Sequence, residues 1–117
     1  MTKRLAFALL LTAALAACQR TPTSAELEGL VIEVPGLQRA APLNQDIPAA
    51  QWPDALKRLA PKRVYNAADG LYIVTSSFFV TEQGIYVPRD TQRAPPTGSD
   101  PSYTPIGLGF YSYRIEG

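Results

Sequence analysis

The stretch from Val64 to Val87 limits the folds open to this chain more than any other. Val64-Tyr65 leads into Asn66-Ala67-Ala68-Asp69-Gly70, where Asp-Gly supplies hairpin-turn chemistry, and Leu71 to Thr81 then runs as branched and aromatic residues. That pattern predicts a hairpin. A second turn is expected at Glu82-Gln83-Gly84, with Gly84 free to take the left-handed conformation of a three-residue loop, before Ile85-Tyr86-Val87. Three successive strands joined this way form an antiparallel meander, so sheet pairing sets the architecture.

The flanking segments are read around that meander. Leu27 to Val34 alternates loosely, is rich in branched residues and runs into Pro35-Gly36, which predicts a strand ending in a turn. From Arg39 to Pro48 no period is sustained, and an irregular connection is expected. Pro53 suits the first turn of a helix, Asp54 suits the positive end of its dipole, Leu56 and Leu59 share a face, and Pro61 ends it. Trp52, just ahead, is expected to pack back into the core. Residues 88–105 carry five prolines among Arg, Asp, Thr and Ser and predict a long surface loop. Ile106 to Ile115 reads as one last strand, with Ile106, Leu108 and Phe110 on one face and Gly107, Gly109, Tyr111, Tyr113 and Ile115 on the other. Two apolar faces imply a central or doubly covered strand, where the glycines would let another backbone or a ligand come close. The expected fold class is α+β: a small antiparallel sheet of four to five strands with one short helix packed on it. An all-β sandwich or barrel is the alternative.

The N-terminus is built differently. Lys3 and Arg4 precede Leu5 to Leu15, an apolar run broken only by Thr12. That is the order of an export signal, and the run falls short of the about 20 apolar residues that span a bilayer. The tetrapeptide that closes it, Leu15-Ala16-Ala17-Cys18, resembles the lipobox of bacterial lipoproteins. The resemblance implies diacylglycerol on the Cys18 thiol, cleavage just before it with Leu15, Ala16 and Ala17 as the peptidase's recognition residues, and a second, amide-linked acyl chain such as palmitate. Two or more chains hold a protein to a bilayer stably, since each buried methylene adds about 0.8 kcal/mol. In the family an aspartate after the cysteine retains the protein at the inner membrane; here Gln19 follows, which implies the outer membrane, facing the periplasm. The lone cysteine agrees with lipidation, because an exported disulfide domain needs an even number. The chain thus divides into a signal peptide (1–17), a lipidated cysteine with a polar tether (18–26) and one small domain (27–117).

Charge and composition narrow the chemistry. Without Lys3 and Arg4, nine Lys or Arg stand against ten Asp or Glu, a balance that excludes the basic excess nucleic-acid binding requires. Histidine is absent and the one cysteine is the lipid site, so the chain lacks the parts for nucleophile–base pairs and zinc centres of the usual composition, and neither a metal nor a cofactor is expected. Gly107-x-Gly109 lacks the third glycine and the helix of a dinucleotide loop. A glycosidase needs only two acids at a set separation, and Glu82 and Glu116 are the acids nearest the aromatic strands, though their positions beside a turn and at the chain end suit solvated surface. Lys57, Arg58, Lys62 and Arg63 form a basic cluster after the short helix. It suits the helix dipole, and facing anionic lipid headgroups is its functional alternative.

The tyrosines are the least ordinary feature. Tyr65, Tyr72, Tyr86, Tyr111 and Tyr113 all fall on predicted strands, where tyrosine is at home for its β propensity alone. Tyr86, Tyr111 and Tyr113 with Arg89 and Arg114 nevertheless define a candidate partner-binding face, because tyrosine and arginine are enriched at binding hot spots. The expectation is a non-enzymatic envelope module that binds a protein partner. A carboxylate-dependent hydrolase of cell-wall sugars and a purely structural envelope component are the alternatives.

Overall fold

A computed structural model describes residues 21–117; the signal region, the lipobox and Cys18 lie outside the described residues. A capping box opens the fold: the Thr23 hydroxyl accepts from the Glu26 amide at 3.2 Å while the Glu26 carboxylate accepts from the Thr23 amide at 3.0 Å. Helix α1, Ser24–Ala40, follows. It corrects the strand expected over Leu27 to Val34. Leu27, Leu30, Val34 and Gln38 recur at helical spacing and are all buried, whereas Val31 and Ile32, whose branching suggests a strand, face solvent. Pro35, expected to start a turn, lies inside α1 and costs it one backbone hydrogen bond. Residues 24–26, expected to be part of a polar tether, therefore belong to the first turn of α1.

The rest of the order is β1 (Gln45–Asp46), a 3-10 turn (Ala49–Gln51), α2 (Asp54–Arg58), β2 (Arg63–Asn66), β3 (Gly70–Phe78), β4 (Thr81–Pro88), β5 (Ser102–Gly107) and β6 (Phe110–Ile115). The six strands form one antiparallel sheet in the order β1-β2-β3-β4-β6-β5. The α+β class and the meander of β2, β3 and β4 are as expected, with α2 starting after Pro53 and Trp52 packed on the core, its indole N–H donating to the Ile47 carbonyl at 2.9 Å.

Three turns differ from expectation. The β3–β4 turn is Phe79-Val80, three residues early, and Gly84 is paired within β4 opposite Val74. The irregular segment is 89–101, because residues 102–107 form edge strand β5, where Pro105 costs little. The single strand expected over 106–115 is a hairpin: Gly107, Leu108 and Gly109 take φ of +117°, +55° and +81°, so these residues turn the chain and neither glycine admits a ligand into a central strand. The hairpin adds β5, and the two-residue β1, inside the segment expected to be irregular, brings the sheet to six strands although residues 27–34 are helical.

One sheet face carries Val64, Leu71, Ile73, Ile85, Val87 and Phe110 and closes against Leu27, Leu30 and Val34 of α1 and Ala55 and Leu56 of α2. Asn66, fully buried, joins helix to sheet. Its amide donates to the carbonyls of Gln38 and Ala41, both at 3.1 Å, at the end of α1, while Gln38 donates to the Val87 carbonyl at 3.0 Å. Asn66→Ala removes the partner of the buried Gln38 carbonyl, at about 1–3 kcal/mol, and of the part-buried Ala41 carbonyl, at less. A loss of about 2–4 kcal/mol is expected in urea unfolding, as a lower midpoint with unchanged slope.

Candidate functional site

The opposite sheet face is not covered by a helix; it is covered by tyrosine. The chain has six tyrosines. Register aligns four of them in one row across four adjacent strands, Tyr65 beside Tyr72, Tyr72 beside Tyr86 and Tyr86 beside Tyr111, and pairs Tyr113 with Tyr103 in a second row. Strand alternation then sends all six rings to one side. Tyr65 stacks on Tyr72 at 5.0 Å, Tyr113 meets Tyr72 edge-on at 5.0 Å, and Tyr86 lies 4.9 Å from both Tyr72 and Tyr103. Such ring pairs are favourable beyond the area they bury.

Two acidic residues gather the hydroxyls. Glu82 Oε2 accepts from Tyr65 at 2.7 Å and from Tyr113 at 2.8 Å, while its Oε1 meets the Arg63 guanidinium at 3.5 Å. Arg63 also pairs with Asp46 at 2.9 Å and lies 4.8 Å from the centre of the Tyr65 ring. Tyr72 donates to Asp69 Oδ2 at 2.7 Å and so accepts from the Tyr103 hydroxyl at 2.9 Å, and Tyr86 donates to the Asp69 carbonyl at 2.9 Å. Burial first, and the neighbouring carboxylates second, push the phenols of Tyr65 and Tyr113 far above the usual tyrosine range. Tyr72 and Tyr86 are raised in the same direction, again chiefly by burial. The face is thus a polar-tipped second core, with these four phenols held neutral at physiological pH.

Of the candidate residues, Tyr86, Tyr111 and Tyr113 come together here, but Tyr86 and Tyr113 are buried and only Tyr111 stands at the rim. Arg89 stays exposed but folds back over the β2–β3 turn and braces it, donating to the carbonyls of Ala67 and Ala68 at 3.1 and 3.2 Å and to Asn66 Oδ1 at 3.2 Å. Alternation carries Arg114 to the helix face, where it pairs with Glu116 at 2.9 Å. Glu82 and Glu116 consequently belong to opposite faces. Of the basic cluster, Lys57 and Arg58 end α2, as the dipole favours, and Arg63 is neutralised by its two acidic partners.

Sequence reasoning missed what surrounds the rim. Half-buried Pro95 and its neighbour Pro96 stand beside the tyrosine face and divide its edge into two clefts. One, of about 400 Å³, lies between Asp69, Tyr86, Arg89 and Arg93; the other, of about 390 Å³, opens onto Tyr103, Pro105 and Tyr111. Both fall in the size range of small-ligand or side-chain pockets. Tyr103 and Pro95 fall in the segment read as a loop, and the register of β5 brings Tyr103 into the site; Asp69 is legible only as a turn residue, and its bonds to Tyr72 and Tyr86 follow from the fold.

No protein-family model, curated protein or solved structure matches the chain. What its site does has to be argued from the geometry itself.

Proposed function

We propose that this chain is an envelope lipoprotein, lipidated on Cys18 and held at the outer membrane facing the periplasm, whose domain binds a protein partner at the rim of the tyrosine face. The observation that carries the reading is the pair of clefts that meet at Pro95 and Pro96, one of them lined by Tyr103 and Tyr111 and the other by Tyr86 and Arg93. Rigid aromatic side chains with polar tips offer contact area at little entropic cost, and clefts of this size accept side chains of a partner. The buried tyrosines beneath hold the rim in place and need no ligand to do so.

Two measurements test it. Metabolic labelling with an alkyne fatty acid is expected to mark the wild-type chain and not Cys18→Ala. A photo-crosslinking amino acid at position 111 is expected to capture one discrete envelope protein, and the same group at position 114, on the other face, is expected not to. Tyr103→Ala in the chain that carries the crosslinker at position 111, which leaves the buried tyrosines in place, is expected to abolish that product while the far-UV spectrum stays unchanged. Crosslinking at 111 that yields no discrete product would leave the chain as a structural envelope component.

A further inference from the structure

The β3–β4 hairpin ends in three consecutive large apolar residues in the open: Phe78, Phe79 and Val80 are 72%, 92% and 71% exposed. A run of this kind at the apex of a hairpin has no role in the core, and soluble domains avoid it. The backbone adds a second anomaly. Phe79 holds φ at +54°, a left-handed conformation that glycine or asparagine takes readily and a bulky residue takes at a cost. The Phe78 and Phe79 rings meet edge-on at 4.5 Å, so they form one apolar knob directed away from the domain. From Thr75 onward β3 is exposed and pairs only with β4, because β2 ends opposite Val74; the knob is the tip of a projecting finger.

From these observations we infer that the Phe78-Phe79-Val80 tip seats in the interfacial layer of a lipid bilayer. The inference rests on the anchoring proposed above, which supplies the bilayer. Depth fits: polar residues resume at Ser77 and Glu82, and two residues of strand rise, about 7 Å, fall within the 5–10 Å to which interfacial apolar groups sink. Reach fits with one condition. Leu27, in the first turn of α1, lies by Gly107 at the end of the sheet remote from the tip, and the eight-residue level difference between Val87 and Phe79 is about 26 Å of strand. The chain from Cys18 to Thr23 spans at most about 18 Å. Anchor and tip therefore meet one surface when the strands lie oblique to it, and an upright domain is excluded. Charge fits a particular kind of contact: Arg63 is paired with Asp46 and Glu82, and Arg114 with Glu116, so the base of the finger carries arginines already neutralised. Lys62, exposed and with its amide donating to the Val74 carbonyl at 2.8 Å, adds one cation at this level, so seating is driven chiefly by apolar area and salt or anionic headgroups change it only by that one charge.

The test uses the full lipidated chain in phosphatidylcholine vesicles. Phe79→Trp adds a reporter to a chain whose one tryptophan, Trp52, packs on the core and supplies the background. The added emission is expected to be shifted to the blue and quenched by brominated acyl chains, equally in low and high salt. Phe78→Ser/Phe79→Asn, tested on the Cys18→Ala background where the anchor cannot mask it, is expected to weaken vesicle binding by about tenfold or more. Asparagine suits the turn, so Phe79→Asn alone is expected to keep or raise the thermal midpoint; a large fall would make Phe79 a structural residue and overturn the inference. Flotation separates the two readings. A lipidated Phe79→Trp chain that floats while its added emission stays unquenched keeps the anchor and loses the finger. A chain that fails to float for want of lipid loses the anchor, and quenching of the added emission at saturating vesicle concentration still decides the finger. Blue-shifted emission that brominated lipid does not quench would assign the tip to a protein contact, against the inference.

Discussion

Gly84→Ala is expected to be among the most damaging single substitutions in the domain. A Cβ at this position would be driven into the Ile73 carbonyl, 2.9 Å from its carbon and 3.1 Å from the Thr75 amide nitrogen, and neither group can swing aside as a side-chain tip would. The cause is the irregularity between Val74 and Ser76, which crowds β3 onto β4 just where Gly84 pairs. Overpacked side chains cost about 1–3 kcal/mol, and a clash with backbone in a central strand lies at the upper end of that range or beyond it. A domain of this size has only about 5–15 kcal/mol in total, so a fall in the thermal midpoint of more than about 10 °C is expected by circular dichroism. Gly36→Ala supplies the contrast. It lies on the exposed side of α1 with nothing within 4 Å of its added Cβ, and is expected to gain about 0.5–1 kcal/mol from helix propensity. Equal midpoints for the two variants would refute the account of the crowded strand pair.

Gly84 also marks the boundary of what is legible without coordinates. Asp69-Gly70 is local turn chemistry and the first hairpin follows from it; Pro53, Asp54 and Leu56 place α2 for the same reason. At Gly84 a local rule misleads, since glycine there answers a crowded neighbour strand and the turn passes instead to Phe79, a residue no turn rule favours. Shifting that turn changes the partner of every residue in β4, so the row Tyr65, Tyr72, Tyr86 and Tyr111 cannot be assembled from strand assignments alone. Helix α1 is legible in principle. Thr23-Ser24-Ala25-Glu26 is a capping-box pattern, and Leu27, Leu30 and Val34 keep helical spacing, but the exposed Val31 and Ile32 and the Pro35-Gly36 pair outweigh it when propensity is read residue by residue. Gly107 and Gly109 show the opposite error: strand alternation runs on through two glycines whose positive φ turns the chain. The resemblance of Leu15 to Cys18 to a lipobox is a purely local signal, and the lipidation proposed from it needs no reference to the fold.

The tyrosine face makes alkaline pH the condition to which the fold is most sensitive. The phenols of Tyr72, Tyr86 and Tyr113 are nearly buried and their folded-state ionisation is pushed well above that of the unfolded chain, which loses these protons near pH 10. The sign follows from linkage. Below pH 10 folded and unfolded chains are both protonated, and the contribution of these groups is fully present; above it the unfolded chain binds fewer protons, so stability falls with each further unit until the folded phenols ionise too. Each such group contributes about 1.4 kcal/mol per pH unit, and the three together about 4 kcal/mol per unit. Tyr65, half-exposed, adds less. Against a total of about 5–15 kcal/mol, unfolding is expected within about one to four units above pH 10. Ultraviolet absorbance of tyrosinate and far-UV circular dichroism, followed through the same titration, are expected to change together in one steep step, because the buried phenols ionise only when the sheet opens. Tyr72→Phe removes a hydroxyl that needs Asp69 and Tyr103, and although it costs stability at neutral pH it is expected to make the alkaline transition shallower. If Tyr72, Tyr86 and Tyr113 instead titrate as independent groups near pH 10 while the sheet persists, their hydroxyls are open to water, and the closed, acid-tipped packing of this face does not exist in solution.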